Sequence, residues 1–202
     1  MSVMWGLVSD VHGNLGALEE ALDVLHGLGA ARLAFLGDYL GRGQSDACVR
    51  RIRAVADLAV VGNRDLDWQD RVAPETRAWV LGLPATASDG ALLVAHGDAR
   101  LARGLGTNQI SRQFADAWRE MEVRNAQVFA FGHSHFARVW RKASAADSAE
   151  QLASTEVDLE AGFRYFLNVG TTGLPFPGKG GPSVALVDFE RREIRQVRLH
   201  WK

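Results

Sequence analysis

One cysteine, Cys48, stands among 202 residues. An internal disulfide is therefore excluded, and a reducing compartment is the expectation. Cys48 lies in a helical pattern and reads as a small core residue. No apolar run is long enough to span a bilayer. The opening "MSVMWGLVSDVHG" lacks the basic lead and small-residue cleavage site of a signal peptide, so the cytoplasm is the expected location. Neither sign of charge is in excess. A net charge of -1 gives no electrostatic reason to expect a nucleic-acid polymer or an anionic membrane as partner. Internal repeats and low-complexity tracts are absent. What the chain does contain is 47% hydrophobic and 23% charged residues, the profile of a globular protein with a sizeable core. Its length favours one domain over residues 1–202.

Strand and helix patterns alternate along the first part. "VMWGLVS" reads as a buried strand. Asn14 is placed to cap a helix whose Leu15, Leu18, Leu22 and Leu25 recur at spacings of three and four, with Gly27 and Gly29 at its end. "RLAFLG" is a second strand, "SDACVRRIRAV" a helix with Ser45 as its expected cap, and "DLAVVG" a third strand. "PETRAWVLGL" starts with proline where helices tolerate it. "ALLVAHG" is a fourth strand, "NQISRQFADAWREMEV" a helix, and "QVFAFG" a fifth strand. Then the texture changes. "ARVWRKA", "RYFLNVG", "SVALVDF" and "EIRQVRLHW" are strand-like with hardly a helix between them, and a polar turn near Glu190 to Glu193 signals a hairpin. The small, polar segment Ala143 to Asp158 reads as a surface loop or excursion. The pattern predicts βαβ units with a parallel sheet, followed by antiparallel strands.

Ligands of open α/β sheets gather at the carboxyl ends of strands. The five apolar runs end in "SDVHGN", "GDYLGRG", "GNRD", "HGD" and "GHSH". Each supplies a metal-ligand residue type beside a glycine. Asp10, His12, Asp38, Asn63, His96, His133 and His135 offer carboxylate, amide oxygen and imidazole, with no thiolate. That mixture suits manganese, iron or zinc better than calcium or a structural thiolate site. Seven ligands exceed what one tetrahedral ion takes and fit two ions sharing a carboxylate. His133 and His135, two apart on an extended backbone, would point the same way and each reach one ion.

These five motifs in this order resemble the calcineurin-like metallophosphoesterase superfamily, from Ser9 to about Asp188, and within it the small bacterial phosphodiesterases and phosphatases. "NVGTTGLPFPGKGGPSVALVD" is similar to the glycine-rich loop and closing strand of that family. The resemblance implies a four-layer α/β/β/α sandwich of two mixed sheets flanked by helices. It also implies that Asp10, His12 and His135 hold a first ion, that Asn63, His96 and His133 hold a second, and that Asp38 bridges. Water activated by both ions would attack phosphorus in line. Arg42 occupies the arginine of the "GD…RG" motif and would contact phosphate oxygens. Its plain reading is a surface arginine.

Two departures stand out. Many members of the family it resembles read "GNH" where this chain reads "GNR", so by that resemblance Arg64 replaces the imidazole that protonates the leaving group. The aspartate that orients that imidazole in the protein-phosphatase branch is Gly41 here. Arginine, with a pKa above about 12, cannot be the acid and can only stabilise negative charge. A salt bridge from Arg64 to Asp65, Asp67 or Asp70 is the competing reading. The two unassigned histidines, His26 and His200, read as structural or surface residues. Arg100, Arg103 and Lys179 read as solvated loop charges with some reach toward a distal phosphate, and the "GLG" at Gly104 to Gly106 is a weak phosphate-loop signal. Trp68 has two readings, packing under a helix or stacking on a substrate ring. The expected function is dimetal hydrolysis of a small phosphorylated substrate. Phosphodiesters or nucleotide-type phosphoanhydrides rank above phosphomonoesters, including phosphoproteins. A non-catalytic binding or scaffold protein on the same fold is the alternative of another class, disfavoured because all seven ligand positions are intact.

Overall fold

The computed structural model describes residues 3–97, 110–178 and 180–200. Arg100, Arg103, Gly104 to Gly106 and Lys179 lie outside them. The described elements run β1 (Met4–Val8), α1 (Leu15–Gly27), β2 (Arg32–Phe35), α2 (Ser45–Val55), β3 (Leu58–Ala59) and α3 (Asn63–Trp68). After a single 3-10 turn come α4 (Pro74–Leu81), β4 (Thr86–Asp89), β5 (Leu92–Ala95), α5 (Ile110–Arg124), β6 (Val128–Phe131), β7 (Arg138–Lys142) and β8 (Glu150–Leu152). The chain closes with β9 (Glu156–Asp158), β10 (Arg164–Asn168), β11 (Ser183–Asp188) and β12 (Glu193–Arg198).

Two mixed sheets of six strands pack face to face, in the orders β3-β2-β1-β11-β12-β9 and β4-β5-β6-β10-β7-β8. The alternation of side chains across a strand builds four layers. In β1, Trp5 and Leu7 face the space between the sheets, where they meet Leu92, Val94, Val128, Ala130, Leu167 and Val187. Met4 and Val8 face the other way, onto Leu18, Leu22 and Leu25 of α1 and Val49 and Ile52 of α2. In β6 the same division sends Val128 and Ala130 inward, while Phe129 and Phe131 pack under Phe114, Trp118 and Met121 of α5. Strands covered on both faces need apolar residues at every position, so the runs "MWGLV" and "VFAF" do not alternate. Each fully buried leucine or phenylalanine contributes roughly 1.5–3 kcal/mol.

The predicted sandwich is present, with differences of detail. Asn14 caps α1 as expected, accepting the Ala17 N–H at 3.1 Å. Ser45 does not cap α2: it is the helix's first residue, and its hydroxyl is held by the Gly41 backbone instead. The third strand is only Leu58–Ala59. The Ala143 to Asp158 segment is not a bare loop. It carries β8 and β9, which close the outer edges of opposite sheets. Both are short and glutamate-bearing, which blunts an exposed edge and also erases the apolar signal of a strand. β4 escaped notice for the same reason, being polar, half exposed and at an edge. The last third is not purely antiparallel: β10 pairs antiparallel with β7 but parallel with β6. The hairpin near Glu190 joins β11 to β12 as predicted. Cys48 is buried on α2, and burial pushes its thiol up to about 12, which leaves it unreactive. Among the described residues no helix is long and apolar enough to cross a membrane.

Candidate metal centre

The parallel strands β1, β2 and β3 of one sheet and β5 and β6 of the other end at a common rim. The residues just beyond those ends meet there. Oδ1 of Asp10 is 3.0 Å from His135 Nε2 and 3.6 Å from His12 Nε2. Oδ2 of Asp38 is 3.3 Å from His96 Nε2 and 3.8 Å from His12 Nε2. Asn63 Oδ1 lies 3.2 Å from His96 Nε2 and 2.9 Å from His133 Nδ1. All seven residues singled out from the sequence are therefore in one cluster. Two groups within it have the spacing of a metal site, Asp10 with His12 and His135, and Asp10 with Asp38 and His96.

The backbone is bent to achieve this. Among the described residues seven non-glycine residues have positive φ, and five of them are Asp10, His12, Asp38, His133 and His135. Aspartate and histidine tolerate the left-handed region better than most residues, at roughly 1–3 kcal/mol each. His133 and His135 thus do not share an extended strand, contrary to expectation. Their φ values are 64° and 58°, and the Ser134 N–H folds back onto the Gly132 carbonyl at 2.7 Å. The turn sends the two rings apart, His133 to Asn63 and His96, His135 to Asp10 and His12. Gly132 is obligatory below them, because a Cβ there would lie 1.9 Å from Ser9 Oγ.

Each carboxylate has one oxygen occupied and one left over. Asp10 Oδ2 accepts from Ser9 Oγ at 2.6 Å and from the His133 N–H at 3.0 Å. Asp38 Oδ1 accepts the Arg64 N–H at 2.7 Å. Asp10 Oδ1 is buried without a hydrogen-bond donor. The imidazoles are fixed likewise. His96 Nδ1 donates to the Leu36 carbonyl at 2.7 Å and His135 Nδ1 to the Leu174 carbonyl at 2.6 Å. In the neutral rings their Nε2 atoms then carry lone pairs that face carboxylate oxygens. Acceptors converging at such distances call for a cation. The field has the matching sign. Burial opposes charge on His96, yet Asp38 and Asp10 lift its imidazole to about 10. Burial would raise the Asp10 carboxyl, but His96, His12 and His135 hold it well below the usual carboxylate range. His133 is lowered, by burial and then by His96. The oxygen-and-imidazole donor set fits a divalent transition ion.

Residues outside the expected set hold the cluster in place. Asp65 is one of the three acids open to Arg64 in the competing salt-bridge reading. It is instead fully buried, and its two oxygens take the backbone N–H groups of Asp38, Tyr39, Leu40 and Gly62 at 2.8 to 3.0 Å. Burial, with Asp38 nearby, still raises its carboxyl to about 7. The signal was available: an acid three residues after Gly62 is half of a capping box. Asn168 donates to the Gly132 carbonyl and Ser134 Oγ, and Thr171 Oγ1 to the Asp10 carbonyl. These contacts span more than thirty residues of sequence and left no local pattern.

Beside His12 opens a cleft of about 580 Å³, whose lining includes Arg42, Arg64 and Trp68. Among the described residues Arg42 has neither a hydrogen bond nor an ion pair. Among the described residues the Arg64 side chain reaches Asp67 alone, at 3.9 Å, with both side chains more than half exposed, so their pairing is worth little. Asp70 pairs with Arg77. Trp68 is half buried, with the Arg71 guanidinium 4.5 Å from its ring centre, so it both packs and lines the cleft. Gly41 touches the backbone before the cleft: a Cβ there would sit 2.4 Å from the His12 carbonyl oxygen. No aspartate fits that position without displacing His12. His26 and His200 are exposed, as expected.

Comparison with known proteins agrees with this geometry. A family model for the calcineurin-like phosphoesterase superfamily domain matches residues 3–192. An uncharacterized protein of Methanocaldococcus jannaschii is 24% identical, with 98% of this chain and 88% of that protein aligned. A metallophosphoesterase from Sphaerobacter thermophilus superposes with a TM-score of 0.82 at 23% identity, covering 100% of this chain and 90% of that one. An archaeal phosphodiesterase does so with a TM-score of 0.56 at 15% identity, covering 97% and 99%. The chain belongs to the calcineurin-like phosphoesterase superfamily and is a metal-dependent phosphoester hydrolase.

Proposed function

We propose that the substrate is a small phosphodiester or a nucleotide-type phosphoanhydride, turned over with two divalent ions, manganese, iron or zinc. Asp10, His12 and His135 would hold one ion, and Asn63, His96 and His133 the other. Asp38 would bridge through Oδ2, the oxygen that faces both His12 and His96 while Oδ1 is tied to the Arg64 N–H. Two such ions supply Lewis acidity toward phosphoryl oxygens and lower the pKa of water. The chain's own part is placement. Backbone carbonyls lock the rings of His96 and His135, and Arg42 on the cleft is free to make paired hydrogen bonds to a phosphoryl group.

The observation that carries the substrate class is the missing proton donor. Arg64 stands where relatives carry the imidazole, and the backbone at Gly41 has no room for the aspartate that would orient one. Among the described residues every histidine is either in the cluster or exposed at a distance from it. Tyr39 is no substitute, since its hydroxyl is buried and donates to backbone carbonyls. General-acid help is worth about 10²–10⁴ in rate and matters most for poor leaving groups. Without it the enzyme works best when the leaving group departs as a stable anion, as aryl alcohols and phosphates do and alkyl alcohols do not. The archaeal phosphodiesterase with the same fold agrees in class. The test is a substrate series of rising leaving-group pKa. Wild type should slow steeply along it, and Arg64→His less steeply. A flat wild-type profile, with chemistry rate-limiting, would overturn the reading.

A further inference from the structure

The cleft beside His12 is not the metal cluster, and its chemistry is different. Among the described residues its lining carries two guanidinium groups, Arg42 and Arg64, with His12 at the edge of the cluster, and no carboxylate. That is a local excess of positive charge in a chain of net charge -1. Arg42 has no partner among the described residues, and Arg64 has only the loose contact with Asp67. Unspent guanidinium groups in a concave site bind phosphate or carboxylate. The lining also offers apolar and aromatic surface from Trp68, Leu15, Leu40 and Leu174, beside the amides of Asn14 and Gln44. At about 580 Å³ the cleft lies within the size range of sites for organic ligands the size of a nucleotide.

Resting on the hydrolase reading above, we propose that this cleft is the leaving-group subsite for a nucleoside polyphosphate. The scissile phosphoryl lies at the metal cluster, the neighbouring phosphate is held by Arg42 and Arg64, and the base lies against Trp68. An aryl diester has one phosphoryl group and no second phosphate to occupy the arginines. An anhydride engages both. Water oxygen bonds to the phosphorus at the cluster, and the bridging P–O bond breaks. The bond's electron pair stays on the departing nucleoside phosphate, and the water proton passes to solvent. The departing phosphate is a stable anion held by two cations, so no general acid is required. The arrangement thus explains how the chain works without the imidazole that Arg64 replaces. Arg64 acts on the leaving group in the other available way, by charge rather than by proton.

Calorimetry of the manganese-loaded protein with two inert probes tests this. Adenosine 5′-(α,β-methylene)diphosphate carries two phosphorus groups and a base, and methylenediphosphonate carries no base. Wild type should prefer the nucleotide about tenfold, the scale of one base stacked on an aromatic ring. Trp68→Leu, which keeps an apolar side chain and loses the π face, should shrink that preference to less than about threefold. Arg42→Gln and Arg64→Gln, both at exposed positions, should each weaken both probes by about tenfold or more. They should also lower kcat/KM for ADP more than for bis(p-nitrophenyl) phosphate. Equal binding of the two probes by wild type, or a preference that survives Trp68→Leu, would overturn the subsite. Turnover of the aryl diester would in that case leave the hydrolase reading standing. Failure to cleave any ester or anhydride with manganese would instead overturn the function on which the subsite rests.

Discussion

In the cluster, Asp10, Asp38, His96 and His135 are buried, and each is held by further contacts from the backbone. In the cleft, Arg42 and Arg64 reach into solvent with at most one long ion pair between them. The two regions meet at His12. The first is over-determined: left-handed backbone at five residues is tolerated because the Asp65 carboxylate, Asn168 and Thr171 fix the surrounding loops. The second is under-determined, its charged groups free to follow a ligand. Such a division suits metal-dependent hydrolysis. The ions must be held in one geometry before substrate arrives, whereas the parts of the site that recognise the substrate can close around it.

If that contrast is right, the largest effects come from the cluster. Asp38→Asn should lower activity by the upper end of roughly 10²–10³ or more. It should also lower the metal content below two ions per chain by elemental analysis, because the one free carboxylate oxygen serves both sides. His133→Ala should lose mainly the ion on the Asn63 side. Less than one ion per wild-type chain after manganese reconstitution would break the dimetal half of the comparison.

The cleft should respond differently. Arg42→Ala should lower kcat/KM by about a hundredfold, the scale of losing one charged donor to a phosphoryl group, with metal content unchanged. A rate equal to wild type would return Arg42 to the surface.

A smaller effect separates the two regions by pH. Asp38 and Asp10 raise the His96 imidazole to about 10, and His12 is raised as well by Asp10 and Asp38 against its burial. Protonation is thus easier on both rings than on a free imidazole, and a protonated ring must lose its proton to bind an ion. Lowering the pH therefore weakens metal binding, by up to about tenfold per pH unit for each proton displaced. A chelator-competition titration from about pH 8 to about pH 6 reads this slope. The guanidinium groups of Arg42 and Arg64 do not titrate in that window, so they add no proton of their own to the slope. A metal affinity independent of pH would contradict the placement of His96 and His12 among the ligands.

The legible parts of this protein are those where one residue type answers one local demand. Buried strands such as "VFAF" need apolar residues on both faces, helix α1 needs its leucine stripe, and a metal ligand must be oxygen or imidazole whatever surrounds it. The edge strands β4, β8 and β9 were illegible because an edge facing water imposes no apolar demand. The opening of the "GHSH" turn was illegible because a left-handed φ at histidine leaves no mark on the histidine itself.

The sequence by itself determined the alternation of strands and helices, the order of the five strand-end motifs and the chemistry of their donors, and the two-sheet class followed from the family those motifs resemble. It also carried the replacement of an imidazole by Arg64. Only the tertiary structure decided what those residues face. It turned His133 and His135 apart, buried Asp65 under four backbone N–H groups, closed the space at Gly41 and left Arg42 and Arg64 together on one cleft. The physical reason is that donor chemistry belongs to a single residue. Distance, burial and charge balance belong to groups brought together from separate stretches of the chain, where local spacing gives no measure of approach.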